Sequence, residues 1–349
     1  MTTTRTLPTI TIVYVVYNRR DELRTSLQKM LHESRYDPER VDVVVVDNAS
    51  SDGSAAMVEE EFPEVRLIAR SENIGAPAWN DGFAVAGGDW VLILDDDCYL
   101  PPDGLPRAIE AAAEHGADLV SFKVVSSYDP DWVFNEKYRT GLLSFWGCAW
   151  LVRKAVLDDI GGYDPDIFMW ANELEFMLRF FDRGYRHLHF PEVVAQHMKL
   201  VRTDLPWNWA STRMNARHWG YVAAKRLWWG DAVEALIALC ANFVRDGLRF
   251  DPHAATGVPS ALRGFARGLR HRDPVRNREL SRCYRRNFLS FASPWWMSRR
   301  PTELIRALPR ELLRDGPLAT DETLGRRTQY FEERERYYPR ESAVLDFAR

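Results

Sequence analysis

The chain has 349 residues, of which 46% are hydrophobic and 28% charged, enough apolar material to bury one large core or two ordinary ones. Its net charge of −4 is unevenly divided: residues 1–200 carry an excess of 14 acids and residues 201–349 an excess of 10 bases. The sequence contains no run of about 18 uncharged apolar residues, no Cys-x-x-Cys spacing among its four cysteines and no zinc-finger or RNP motif, which argues against a membrane span, a disulfide framework, a zinc site and nucleic-acid binding. The opening Met1-Thr2-Thr3-Thr4-Arg5 lacks the apolar core of a signal peptide, so a cytoplasmic protein with reduced thiols is expected.

In chain order, the β-branched run Thr9 to Val16 predicts a strand covered on both faces, followed by a helix from Asp21 to about Ser34. A second strand, Val41 to Val46, runs into the turn-rich Asp47-Asn48-Ala49-Ser50-Ser51-Asp52-Gly53-Ser54 and a helix over Ala55 to Glu61. Val65 to Ala69 predicts a third strand and Ala78 to Ala86 a helix. Then comes the apolar run Val91 to Leu94, which ends in Asp95-Asp96-Asp97. A helix over Leu105 to His115, a strand over Asp118 to Val125, a loop through Asp131 and Lys137, a strand over Phe145 to Val152 and a helix from Lys154 to Ile160 follow. Strands alternating with helices predict an α/β fold with an open, mainly parallel sheet, whose ligands sit beyond the carboxyl ends of the strands, where Asn18, Asp47 and Asp97 all fall. Residues 207–250 read as helical and tryptophan-rich, residues 251–301 as basic with Pro and Gly breaks, and Glu332 to Arg340 as a charged helix.

The acidic triplet is the most informative feature. Three adjacent acids repel one another, and a fold keeps them together where a cation relieves the repulsion. Strand alternation puts Asp95 and Asp97 on one side and Asp96 on the other, so an Asp-x-Asp pair can hold one hard divalent ion, manganese or magnesium, whose open positions suit a diphosphate. A solvated acidic turn is the competing reading of the triplet taken alone.

Together, Val16-Tyr17-Asn18-Arg19, Val46-Asp47-Asn48-Ala49-Ser50-Ser51-Asp52-Gly53, Glu72-Asn73-Ile74-Gly75, Asp95-Asp96-Asp97, Gly161-Gly162-Tyr163-Asp164 and Asn172-Glu173-Leu174-Glu175 resemble, in order and spacing, the family 2 glycosyltransferases of the GT-A fold, in a rhamnosyltransferase-like branch. The resemblance covers roughly residues 9–200. It implies a nucleotide-sugar-binding GT-A catalytic domain over 1–200, followed by a helical C-terminal region over 201–349.

The resemblance also implies site roles. Tyr17, Asn18, Asp47, Asn73 and Gly75 would meet the nucleotide, with Asp47 suited to an imide N–H of uracil or thymine and Gly75 letting backbone approach closely. Arg70 would either meet phosphate or cap a strand. Asp97 matches the metal ligand, with Asp95 and Asp96 on the ribose or the ion, and His197 falls where relatives place a further histidine near the metal, although a structural histidine is equally open. The ion would stabilise the departing nucleoside diphosphate.

Glu173 matches the general base of an inverting transfer, standing in Asn172-Glu173 where the family usually has Glu-Asp. Asn172 is expected to cap the following helix, and Glu175, four residues before Arg179 and about 200° around the helix from Glu173, is expected to be structural. Trp146 and Trp170, with Trp150, Phe168 and Met169 nearby, are either acceptor contacts or core. The basic C-terminal region, with Trp207, Trp209, Trp219, Trp228, Trp229, Trp295 and Trp296, would be a peripheral membrane contact, an acceptor lid or a homo-oligomer interface.

The expected activity is transfer of a single sugar from a nucleoside-diphosphate sugar, UDP or dTDP ahead of GDP, onto the hydroxyl of a glycan, a lipid-linked sugar or a natural product. The processive synthases' Gln-x-x-Arg-Trp motif is missing. A sugar-nucleotide nucleotidyltransferase is the alternative enzyme, but it would need a glycine-rich loop where this chain has Tyr17-Asn18-Arg19-Arg20. A non-catalytic carbohydrate-binding relative is the other alternative.

Overall fold

Strand β1 (Ile10–Val16) consists entirely of β-branched and aromatic residues, and all but Val15 are buried. In this computed structural model, which describes residues 7–128, 145–199, 209–248, 254, 256–291 and 343–345, β1 pairs in parallel with β2 (Val41–Asp47) on one side and β4 (Trp90–Asp95) on the other. Strand β3 (Arg66–Ala69) extends the sheet beyond β2. Because the four strands are parallel, their carboxyl ends share one edge: Val16 lies opposite Asp47, and Val15 opposite Asp95.

Beyond β4 the direction changes. Strand β7 (Ala149–Arg153) runs antiparallel to both β4 and β6 (Leu119–Ser126), and β8 (His187–His197) runs parallel to β6. The two short strands β5 (Cys98–Tyr99) and β9 (Ala343–Leu345) pair antiparallel with β8, giving nine described strands in the order β3-β2-β1-β4-β7-β6-β8-β5, with β9 also on β8. The sheet is therefore mixed, parallel through β1–β4 and reversed at β7. The reversal has a consequence for the site: it brings the start of β7, not its end, to the carboxyl end of β4.

Helices α1 (Arg20–Gln28), α2 (Ser54–Glu61) and α4 (Gly104–His115) contribute to a core built on Ile12, Tyr14, Val43, Val45, Leu92 and Leu94. The alternate residues Val13, Val44, Val46, Val91 and Ile93 point to the opposite core. That second core also takes α3 (Trp79–Val85), α5 (Lys154–Ile160), α6 (Asn172–Asp182) and the C-terminal helices α7 (Trp209–Arg226), α8 (Trp229–Leu248), α9 (Gly257–Arg270) and α10 (Arg278–Phe291), with Phe176, Tyr221, Phe243 and Tyr284 all buried in it.

Three local expectations are corrected. The first helix stops at Gln28 and continues as a π-helical turn, Lys29–Glu33. The strand expected from Phe145 begins only at Ala149, because Gly147 and Cys148 form a turn. Asn172 does not cap α6: it is the first helical residue and buried, and Ala171, with φ of 62°, takes the cap position without a side-chain bond. The expected boundary near residue 200, Asp131, Lys137, Trp207, Trp295, Trp296 and the helix over 332–340 lie outside the described residues.

Candidate active site

The crevice begins at the strand ends. Asp47, the last residue of β2, is buried and accepts the Ser50 N–H on both carboxylate oxygens, at 3.2 and 3.3 Å, which closes the turn that follows. Asn48 ties this turn to the next loop. Its Nδ2 donates to Asn73 Oδ1 at 2.9 Å and to the Gly75 carbonyl at 3.2 Å, and its Oδ1 accepts the Ile74 N–H at 3.1 Å.

Asn73 thus spends its carboxamide oxygen on the loop, which also receives the Gly75 N–H at 2.9 Å. Arg70 donates its backbone N–H to the Asp47 carbonyl and pairs its guanidinium with Asp81 on α3. At the end of β1, Asn18 Oδ1 accepts the Ser51 N–H at 2.7 Å, and exposed Tyr17 gives its backbone N–H to Asp96 Oδ2 at 3.4 Å.

The acids come next. Asp95 ends β4, and Asp96 and Asp97 form the turn into β5, where Cys98 pairs with His197 across the ladder. That register carries His197 Nε2 to 3.0 Å from Asp97 Oδ1. Asp95, Asp97 and His197 each offer a ligand atom, all within 4.8 Å of one another.

Burial raises the Asp95 carboxyl, and the charge on Asp97 adds to that rise. Burial also pushes Asp96 well above the usual carboxylate range. For Asp97 burial acts the same way but is outweighed by the hydrogen bond and charge of His197, with Arg19 and Lys199, which hold it below its ordinary value. Two carboxylates and an imidazole forced together in this way fit an oxygen-preferring divalent ion that accepts one nitrogen, as manganese does.

Glu173 stands in the first turn of α6, across a tight turn from this cluster. Cys148 accepts the Asp95 N–H at 2.8 Å, and at Gly147, the residue before it, an added Cβ would lie 2.0 Å from Glu173 Oε1. Only glycine leaves room there for the carboxylate. Burial pushes the Glu173 carboxyl up to about 7; its own backbone N–H opposes that shift and the charge on Asp95 adds to it. A carboxyl with this value is poised to take a proton near neutral pH.

Long-range contacts aim α6. Glu175, fully buried, accepts from Arg179 one turn on and from Arg226 of α7, while Arg179 also donates to the carbonyls of Ile160, Gly161 and Gly162. The structural reading of Glu175 holds. Burial lowers the pKa of His218 to about 4, and its neutral ring donates from Nδ1 to the Met169 carbonyl at 2.7 Å. Lys225 and Tyr221 hold Asp164 of the same loop at 2.6 and 3.2 Å.

The loop is also fastened to the loop after β3, where the Phe168 carbonyl accepts the Ala76 N–H at 2.7 Å. A Cβ on Gly75, whose φ is 72°, would lie 2.1 Å from that carbonyl oxygen. Among the described residues, the four non-glycine positions with positive φ are Asn18, Ala49, Trp170 and Ala171, at the ends of β1 and β2 and at the start of α6. Such conformations gather at functional sites, where the surrounding structure holds them.

Trp146 and Trp170 are partly buried, the first just before Gly147 and the second just before the α6 cap. Trp150 is not available to an acceptor: it is fully buried, 4.7 Å from Phe145 and 5.3 Å from Phe176 between ring centroids. The cysteines Cys98 and Cys148, distant in sequence, lie with their Sγ atoms 3.9 Å apart as buried free thiols. A cleft of about 400 Å³ behind α6, lined by Asp164, Arg179, Lys225 and Arg226, is a separate feature whose acids and bases largely pair with one another.

Sequence reasoning quoted Arg19 but gave it no role, and it missed Gly147 and His218. A lone glycine interrupting the apolar run Phe145-Trp146-Gly147-Cys148 was the available signal for a close approach. Nothing local marks His218.

Residues 11–161 match the model of glycosyl transferase family 2. The succinoglycan biosynthesis protein ExoO of Rhizobium meliloti (strain 1021) is 37% identical over 115 residues, 32% of this chain and 32% of that protein. The undecaprenyl-phosphate 4-deoxy-4-formamido-L-arabinose transferase of Proteus mirabilis (strain HI4320) is 34% identical over 125 residues, 34% of this chain and 38% of that protein. These matches span about a third of the length of either curated relative. Among solved structures, a mannosyltransferase from Pyrobaculum calidifontis, in complex with GDP-Man and Mn2+, aligns with a TM-score of 0.50 and 25% identity over 74% of each chain. The mixed sheet, the acids at its strand ends and these likenesses agree: over residues 11–161 the chain is similar to the glycosyl transferases of family 2.

Proposed function

We propose that the protein is a metal-dependent, inverting glycosyltransferase that moves one sugar from a nucleoside-diphosphate sugar to an acceptor hydroxyl. The observation that carries this reading is the pairing of a raised carboxyl, Glu173 at about 7, with the Asp95–Asp97–His197 cluster across the Gly147–Cys148 turn. A nucleotide held by the β1 and β2 ends, with Asp47 toward the base, puts its diphosphate at the triplet. Asp95, Asp97 and His197 would hold a manganese or magnesium ion, which when bound supplies stabilisation of the charge that grows on the leaving diphosphate.

Glu173 takes the proton of the acceptor hydroxyl as that oxygen attacks the anomeric carbon. The bond from the anomeric carbon to the phosphate oxygen breaks on the opposite face, and the nucleoside diphosphate departs with the electron pair. Trp146 and Trp170 offer flat apolar faces to the acceptor.

In this reading residues 1–200 form the nucleotide-sugar domain and the C-terminal helices its support. A nucleotidyltransferase is disfavoured by the Tyr17-Asn18-Arg19-Arg20 end of β1, which has no glycine to cradle a triphosphate. A non-catalytic relative would have no need of both Glu173 and Asp97.

We place the enzyme in the cytoplasm, in peripheral contact with an anionic lipid surface. No described helix is long and apolar enough to cross a membrane. Helix α8, however, exposes Trp229, Val233, Ile237 and Val244 along one side, and α9 exposes Leu262 and Leu269 beside exposed Arg263 and Arg270. The arginines favour anionic headgroups over a second copy of the same basic surface.

The test is release of nucleoside diphosphate from a panel of UDP-, dTDP- and GDP-sugars with an acceptor panel, with manganese and with a chelator. Metal-dependent release from one donor class, lost in Glu173→Gln, is expected; metal-independent release would overturn the reading.

A further inference from the structure

Arg19 belongs to the end of β1, and its guanidinium lies against the acids assigned above to the metal. It contacts the Asp97 carboxylate through Asp97 Oδ2 and lies 3.3 Å from Asp96 Oδ1. Asp97 is therefore engaged on both oxygens, by Arg19 on Oδ2 and by His197 on Oδ1. The guanidinium occupies one lone-pair direction of the carboxylate, and its positive charge beside both acids opposes an entering cation.

The two ends of the arginine differ. The Arg19 backbone is fixed, since its carbonyl accepts the Leu23 N–H at 3.0 Å in the first turn of α1. Its side chain is 42% exposed, whereas that of Asp97 is 2% exposed. The acid is enclosed by the protein, whereas the arginine side chain reaches it from the solvent side.

We propose that Arg19 is an exchangeable counter-ion for the acidic triplet. In the metal-free protein its guanidinium neutralises Asp96 and Asp97; binding of a divalent cation at Asp95, Asp97 and His197 displaces it from Asp97. Tethered at the β1 end of the crevice, the freed guanidinium then pairs with the donor's diphosphate, for which its planar fork is well matched.

Two consequences follow from this exchange. The ion alone binds more weakly than its donor set would allow, because it must first displace an ion pair. Nucleotide and ion also assist each other, because the nucleotide offers the displaced arginine a new partner, and such a coupling must be reciprocal. The inference rests on the metal-site reading under Proposed function and deepens it by giving Arg19 a positioning role.

The experiment titrates manganese alone, followed by the free-ion signal in electron paramagnetic resonance, into the full chain and its Arg19→Met, Arg19→Lys and Asp97→Asn variants. Calorimetry then measures UDP, dTDP and GDP at saturating manganese. In Arg19→Met, manganese alone should bind about tenfold tighter and the nucleoside diphosphate about tenfold weaker, with Arg19→Lys recovering part of both changes. Thermal unfolding of Arg19→Met should occur at a lower temperature than wild type without metal and at the wild-type temperature with it, which separates the exchange from a general folding defect.

Manganese affinity unchanged or lowered in Arg19→Met, with wild type binding and Asp97→Asn not, overturns the exchange and leaves the metal site standing. Absence of manganese binding by wild type with and without nucleotide overturns both.

Discussion

The proposed nucleotide side of the crevice is made of strand ends in one parallel sheet, whereas Glu173, the proposed base on its other side, rides on a helix held by residues 49 and 51 positions away, His218 on Met169 and Arg226 on Glu175. On the first side each functional residue is placed by its own strand and the turn after it. On the second, the position of Glu173 is the sum of a loop in strained conformations, a buried ion pair and the C-terminal helices. The difference teaches that binding and chemistry are separable here: the nucleotide should survive damage to α6, and turnover should not.

Glu173→Gln puts this separation to its hardest test. Removing the base should lower kcat by about a thousandfold or more while leaving nucleoside diphosphate affinity within about twofold. A comparable loss of both in steady-state kinetics and calorimetry would mean that the two sides are not independent. Gly147→Ala should act in the same direction through displacement alone, lowering kcat by about a hundredfold because the new methyl occupies the space of Glu173 Oε1. Gly75→Ala should break the comparison, since Gly75 belongs to the nucleotide loop but its space is limited by the Phe168 carbonyl on the base side, so affinity and kcat should fall together.

Loss of Glu175 is a question of stability first. Its carboxylate is shared by Arg179 and Arg226, and Glu175→Gln, which leaves buried arginines short of their partner, should cost about 3 kcal/mol in chemical denaturation. The pH dependence of stability gives a smaller effect. The Glu173 carboxyl is raised from 4.5 to about 7 in the folded protein, so folding binds a proton there and wild-type stability falls as pH rises through that window. Glu173→Gln cannot ionise, and above pH 7 it should be more stable than wild type by about 1 kcal/mol, reduced from the full shift by the carboxylate's remaining solvent contact. The same group predicts a rate that climbs with pH toward a plateau, with a midpoint below 7 once a cation beside Asp95 offsets the charge that helps to raise it.

The same division decided what could be read from the sequence. Strands β1, β2 and β4 and the edge their carboxyl ends share follow from apolar runs that each end in an Asn or Asp turn; the expected alternation across the triplet does not hold, because β4 ends at Asp95 and the turn through Asp96 and Asp97 brings both of those acids to Arg19. The antiparallel β7 did not show, because an apolar run carries no direction, and so the placement of Gly147 against Glu173 was hidden. Asn172 looked like a cap because Asn favours that place in general. Tertiary contacts instead bury it and leave Ala171 in a left-handed conformation, which no propensity predicts. His218 and the approach of Cys98 to Cys148 are products of packing between distant segments, and nothing near them in sequence announces either.

The central claim is that the acids at the end of β4 bind and Glu173 reacts. Calorimetric titration of nucleoside diphosphates, with and without manganese, into wild type, Asp97→Asn and Glu173→Gln tests it most directly. The account predicts manganese-dependent binding of one nucleotide that is lost in Asp97→Asn and kept in Glu173→Gln. Binding that is indifferent to manganese and to Asp97, or lost equally in both variants, would contradict it.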